Sequence, residues 1–137
     1  MSYAQRRKDI QGHFAALFSG VPSDRIAWDG VAFQVPADRR PWVRFSLQNG
    51  SSLYADIGRD RRARRSGIVF VQVFTPDDST TADAADLVDR AVAVFETRLL
   101  AGVTFESPRV SEVGPSDGWF QVNVAAPFWY DDMVTAT

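Results

Sequence analysis

The chain has 137 residues, 45% of them apolar and 23% charged, with a formal net charge of −2 and no cysteine. That length favours one compact domain burying roughly two-thirds of its unfolded surface, enough to fold without metals or disulfides. The lack of cysteine excludes disulfide scaffolds, thiolate zinc sites and cysteine nucleophiles, and the single histidine, His13, argues against imidazole metal sites and Ser-His-Asp chemistry.

Residues 3–19 read as a helix, with Ile10, Phe14, Leu17 and Phe18 at helical spacing and Arg6, Arg7, Lys8 and Asp9 on the polar side. Gly20 and Pro22 close it. Residues 26–33 form a short apolar stretch with a turn at Asp29-Gly30, and residues 35–40 an extended linker bounded by Pro36 and Pro41. Residues 42–48 alternate, Val43, Phe45 and Leu47 against Trp42, Arg44 and Ser46, which predicts a half-buried strand. Asn49-Gly50 then signals a tight hairpin with residues 52–57 returning, followed by a basic loop over 58–66.

Residues 67–75 are almost continuously apolar and predict a central strand covered on both faces. Pro76 stops it. Asp78, Ser79 and Thr80 are candidate caps for a helix of about 20 residues, whose stripe is Val88, Val92, Phe95 and Leu99 and whose end is Gly102. Residues 103–113 read as a strand broken at Pro108, residues 114–118 as a turn, and residues 119–125 as a last alternating strand. Residues 127–137 are expected to be a tail that starts with Phe128, Trp129 and Tyr130 and whose small polar end is mobile. Segregated strands and helices predict an α+β fold, a mainly antiparallel or mixed β-sheet with two helices packed on one face.

No catalytic constellation emerges. There is no GxSxG elbow and no glycine-rich phosphate loop, and His13 reads as a helix-surface or core-edge residue. Asp77-Asp78 and Asp131-Asp132 match no calcium loop. Neither an enzyme, a metal nor a cofactor is expected. No apolar run approaches the roughly 18 residues that span a bilayer, and residues 1–20 lack a signal-peptide core, so no membrane partner is expected either.

Two features stand out against this plain background. Charge is split along the chain, with 12 basic and 6 acidic side chains in residues 1–76 and 3 and 11 in residues 77–137, a pattern suited to head-to-tail association of copies if it persists in space. The second is Arg59, Arg61, Arg62, Arg64 and Arg65, five cations within seven residues. Three readings of that run stand side by side: a solvated hairpin loop, a protein contact and a nucleic-acid contact. Sequence-specific DNA binding is disfavoured by the net charge and the lack of a recognition helix. Trp42 and Trp119 fall opposite the apolar rows of their strands, so each lies either under a helix or on a surface that meets another subunit.

The order of motifs resembles the tail terminator (tail completion) proteins of long-tailed bacteriophages. It is carried by the amino-terminal helix, Ile26-Ala27-Trp28 with Val31 and Phe33, and Pro41-Trp42-Val43-Arg44. Arg65-Ser66-Gly67-Ile68 leading into Val71-Gln72-Val73-Phe74-Thr75-Pro76, the Ala85-Asp86 helix and Gly118-Trp119-Phe120-Gln121-Val122-Asn123-Val124 complete it. The resemblance covers residues 1–126 as one domain and leaves 127–137 as a tail. It departs from the family after Pro76, where Asp77-Asp78-Ser79-Thr80-Thr81 stands in place of a glycine-rich turn.

The resemblance implies a structural, non-catalytic virion protein, assembled in the host cytoplasm. Such subunits form a hexameric ring with copies of themselves at the head-proximal end of the tail, contact the tail tube protein and the head-completion or neck protein, and stop tube growth. DNA passes through the lumen without sequence-specific binding. Arg59, Arg61, Arg62, Arg64, Arg65, Trp42 and Trp119 are then the candidates for tube or subunit contact. Two alternatives remain: another neck or head–tail connector protein, and a small nucleic-acid-binding module using residues 59–65.

Overall fold

Two helices and six strands build the chain in the computed structural model, which describes residues 3–79 and 81–135. Helix α1 spans Tyr3–Leu17, and a single 3₁₀ turn at Ser23–Arg25 leads into the short β1, Ile26–Ala27. Strands β2, Trp42–Tyr54, and β3, Asp60–Pro76, precede helix α2, Thr81–Glu96. Strands β4, Thr104–Phe105, β5, Arg109–Ser116, and β6, Trp119–Thr135, complete the chain. The sheet order is β1-β2-β3-β6-β4, with β5 also paired to β6. Among the described residues only β1 and β2 run parallel; the other pairings are antiparallel.

The expected α+β fold with both helices on one face is what forms. Ile10 and Phe14 of α1 and Leu87, Val88, Ala91, Val94 and Phe95 of α2 share one core with Val43, Phe45, Val69, Val71, Val73, Val122, Val124 and Ala126. Every second residue of the central strands points into that core, so the alternation read from sequence is the burial pattern observed. His13 sits at the core edge, its Nε2 within 2.9 Å of the Val94 carbonyl and its ring stacked on Phe105. Residues 67–75, however, are covered on one face only: Ile68, Phe70, Gln72 and Phe74 line the half-buried face away from the helices.

Several local expectations give way to long-range pairing. Asn49-Gly50 does not turn the chain. It lies where the β2–β3 register shifts, and β2 continues to Tyr54, so the hairpin turn falls at residues 55–59. The basic loop is not a loop, because residues 60–66 are the first seven of β3. Nor are residues 127–135 a tail: β6 runs through them and pairs with β3 from Asp60↔Thr135 to Pro76↔Trp119 without a register shift. Two 17-residue strands, each about 55 Å long at ~3.3 Å per residue, thus carry the sheet past the helices as a three-stranded arm.

Helix α2 is shorter than its apolar stripe predicts. It ends at Glu96, and Leu99, expected in the core, is fully exposed. Of the candidate caps, Thr80 lies outside the described residues, the Ser79 hydroxyl donates to the Pro76 carbonyl and Asp78 faces Arg39 at 3.4 Å.

Candidate functional site

The seven residues singled out from sequence fall into two groups at opposite ends of the long strands. Arg59 lies in the turn and the other four arginines at the outer end of β3; Trp42 and Trp119 start β2 and β6 at the far end. The structure does not bring the two groups together.

The arm places the arginine run against acids from the other end of the sequence. Alternation sends Arg62 and Arg64 to the bare face and Arg61 and Arg65 to the helix side. Arg64 makes a two-pronged bond to Asp131, at 2.9 and 3.1 Å, and stacks over Trp129 with its guanidinium carbon 4.0 Å from the ring centre. Arg62 grips Asp56 across the turn at 2.8 and 3.0 Å. Arg65 donates to the buried Asp132 at 3.0 Å and to the Tyr3 hydroxyl at 2.8 Å, fastening the arm to the start of α1.

Arg61 differs from these three. It stacks on Tyr54, 4.2 Å from the ring centre, and donates to the Gly58 carbonyl rather than to a carboxylate. The charge split along the sequence is therefore partly cancelled in space, since acids of the second half pair with cations of the first. The three consecutive aromatics likewise separate by face: Phe128 and Tyr130 enter the core, while Trp129 lies on the bare face under Arg64.

Titration follows from these contacts. The Arg64 guanidinium holds the Asp131 carboxyl below its ordinary value of 3.8, and the Arg62 guanidinium does the same for Asp56. Burial pushes the Tyr130 phenol up. A carboxylate whose folded value is depressed adds stability that is fully present above its unfolded value and is lost as pH falls through the folded one. The melting temperature of the native chain should therefore exceed that of an Asp56→Asn/Asp131→Asn variant by a constant margin above the ordinary carboxylate range, a margin that shrinks below it. Thermal melts across an acid series check this; a margin independent of pH would show that these pairs contribute nothing.

At the other end, Trp42 is buried inside the subunit and is not available for contact. Its ring stacks on Phe74 at 4.1 Å and on Phe33 at 5.2 Å, and meets Trp119 edge-on at 6.2 Å. The cover comes from the 33–41 segment, not from a helix. Arg39 of that segment, held by Asp77 at 3.1 Å, lies over the half-buried Trp119. An open groove of about 410 Å³ runs here between Val35, Arg44, Phe74 and Trp119.

Residues that sequence reasoning missed are the exposed apolar ones on the two sheet edges: Leu53, Tyr54 and Ile57 on the β2 side, and Val110 and Val113 on β5. Their alternation was legible, but exposure depends on which strand lies beside them. Among the described residues no group of three or more His, Cys, Asp or Glu could hold a metal ion, and no helix is long and apolar enough to cross a membrane.

Comparison with known proteins agrees with this architecture. No curated protein matches the sequence. A solved structure whose name states no function shares the fold, with a TM-score of 0.70 and 16% identity over 95% of this chain and 96% of its own. A family model described as phage tail terminator protein matches residues 8–128, from α1 into the second half of β6. With almost all of its helices and sheet inside that match, the chain belongs to the phage tail terminator family, a family of phage tail structural proteins.

Proposed function

We propose that this protein is the subunit of a ring that caps the head-proximal end of the phage tail tube, ends its polymerisation and presents a surface to the neck. The family match over residues 8–128 carries this reading. The shape supports it. A subunit of a ring larger than a dimer needs two different surfaces that fit one another, and the sheet ends in an arm on one side and a bare edge on the other. Arg59, Arg61 and Arg62 on the arm are the candidates for contact with the tube or with a neighbouring copy. Neutralisation of Arg62, Arg64 and Arg65 by aspartates argues against the arm as a nucleic-acid-binding module, for which uncompensated cations are required.

Tails assembled without this protein should be longer than normal and should fail to join heads, and adding the purified protein during tube growth should restore a defined length. Electron microscopy of the particles reads both. Normal-length free tails beside heads that lack them would instead assign the protein to the neck connector.

A further inference from the structure

We infer that the outer edge of the arm, residues 49–54 of β2, pairs with the β5 edge of a second copy of this chain. The inference rests on the ring reading in one respect, namely that each copy offers both edges at once. Most of its support is local. Five of the ten exposed large apolar side chains among the described residues lie here, Leu53 and Tyr54 on one edge with Ile57 in the turn beyond it, and Val110 and Val113 on the other. An exposed apolar strand edge with unpaired backbone groups is a template for another strand.

The inner half of the β2 edge is closed. Strand β1 pairs with Val43 and Arg44, and farther along the Leu47 N–H donates to the Asp29 carboxylate at 2.7 Å while Arg7 donates to the Leu47 carbonyl at 3.2 Å. Beyond that cap, among the described residues, no strand lies outside residues 49–54, and none lies outside β5. On β5 the register shift between Glu112 and Gly114, with Pro115 after it, confines regular pairing to residues 109–112.

Charge and shape then select the partner. Between β5 and α2 runs a groove of about 260 Å³ floored by Val88, Val110, Phe120 and Val122, with Asp89 and Glu112 among its lining residues. The arm offers the matching chemistry: the Tyr54 ring and, stacked on it, the Arg61 guanidinium, which no carboxylate among the described residues neutralises. Val110 and Glu112 lie on the helix side of the sheet, as do Tyr54 and Arg61. A sheet continued with the helices of both copies on the same side therefore sets Tyr54 and Arg61 beside Val110 and Glu112.

The two edges cannot meet within one chain. Val110 aligns with Val124 of β6, whereas residues 49–54 align through β3 with residues 128–132 of β6, about 13–26 Å farther along the strand, and both β3 and β6 lie between the two edges. The contact is head-to-tail and repeats from copy to copy.

The absence of cysteine makes the test direct. Two single variants, Ser52→Cys and Val110→Cys, each place one thiol at an exposed position on the helix side of the sheet and are treated with a short bismaleimide, alone and mixed, with folding checked by circular dichroism. The expected result is a linked dimer in the mixture and none in either variant alone. Adding Glu112→Arg to the Val110→Cys chain should reduce the linked dimer, and adding Arg61→Glu to the Ser52→Cys chain should restore it. Linked dimers of one variant by itself, or no linking in the mixture, would overturn the pairing. So would a native chain that light scattering finds monomeric at every concentration. Rings that cap tubes normally without this linkage sink the pairing and leave the proposed function standing. Linkage in a protein that fails to cap tubes does the reverse.

Discussion

Phe14→Ala should cost about 3–5 kcal/mol of folding stability and lower the melting temperature by roughly 10–20 °C. Phe14 is fully buried on the inner face of α1 and is the hub of the aromatic core. Its ring lies 4.7 Å from Phe18, 5.3 Å from Phe45, 6.1 Å from Phe95 and 6.1 Å from the edge-on Trp28. Those partners come from the residue just after α1, the β1–β2 connection, β2 and α2, so one truncation loosens four parts of the fold. Phe18, Phe45 and Phe95 are rigid rings that collapse poorly into a void, which keeps the cavity contribution large. Phe14→Leu should cost about 1.5 kcal/mol or less, because it retains most of the volume. Thermal and urea denaturation measure both. A loss below about 1.5 kcal/mol for the alanine variant would mean that the neighbouring rings close the space.

Gly67→Ala should destabilise by about 2–3 kcal/mol, although alanine is ordinarily the better strand residue by about 0.5–1 kcal/mol. Gly67 sits where the covered part of the sheet gives way to the arm, paired with Asn49 on one side and Phe128 on the other. A Cβ there would come within 2.5 Å of the Gln48 carbonyl oxygen and 2.6 Å of the Phe128 ring. The ring belongs to the core and the carbonyl to the backbone of β2, so neither yields cheaply. Gly50→Ala is the control: its nearest contact would be the Ser66 carbonyl at 3.4 Å, and its cost should stay below about 1 kcal/mol. Urea midpoints read the comparison directly. Equal effects at the two glycines would show that Phe128 and β2 shift freely at this junction. Because Gly67 sets how closely β2 and β6 flank β3, its replacement should also weaken linkage between copies through the arm.

The arm explains why the arginine run and the terminal acids both matter and why neither was readable alone. Five arginines within seven residues repel one another in isolation, which makes a solvated loop the natural local expectation. The last four become strand because Asp131 and Asp132, 67 residues from Arg64 and Arg65, arrive beside them. In the same way Asn49-Gly50 carries the strongest hairpin signal in the chain, yet β2 passes through it as an irregularity in register, because pairing with β3 on its far side continues to Tyr54.

What the sequence by itself determined is whatever depends on near neighbours. The two-residue alternation of β2, β3 and β6, the apolar stripe of α2 and the stop at Pro76 each follow from side-chain period or backbone restriction within a few residues. Together they lead to an α+β fold, and the order of motifs leads to its family. The tertiary structure decided how far the strands run, which cations are neutralised and which apolar residues remain exposed. Backbone pairing is satisfied only across distant segments, so a strand ends where its partner ends, and an edge is an edge only when nothing in the rest of the chain lies beside it. Trp42 shows the same dependence: its position opposite the core row left cover by a helix or contact with another subunit open, and the 33–41 segment folding over it buried it inside the subunit.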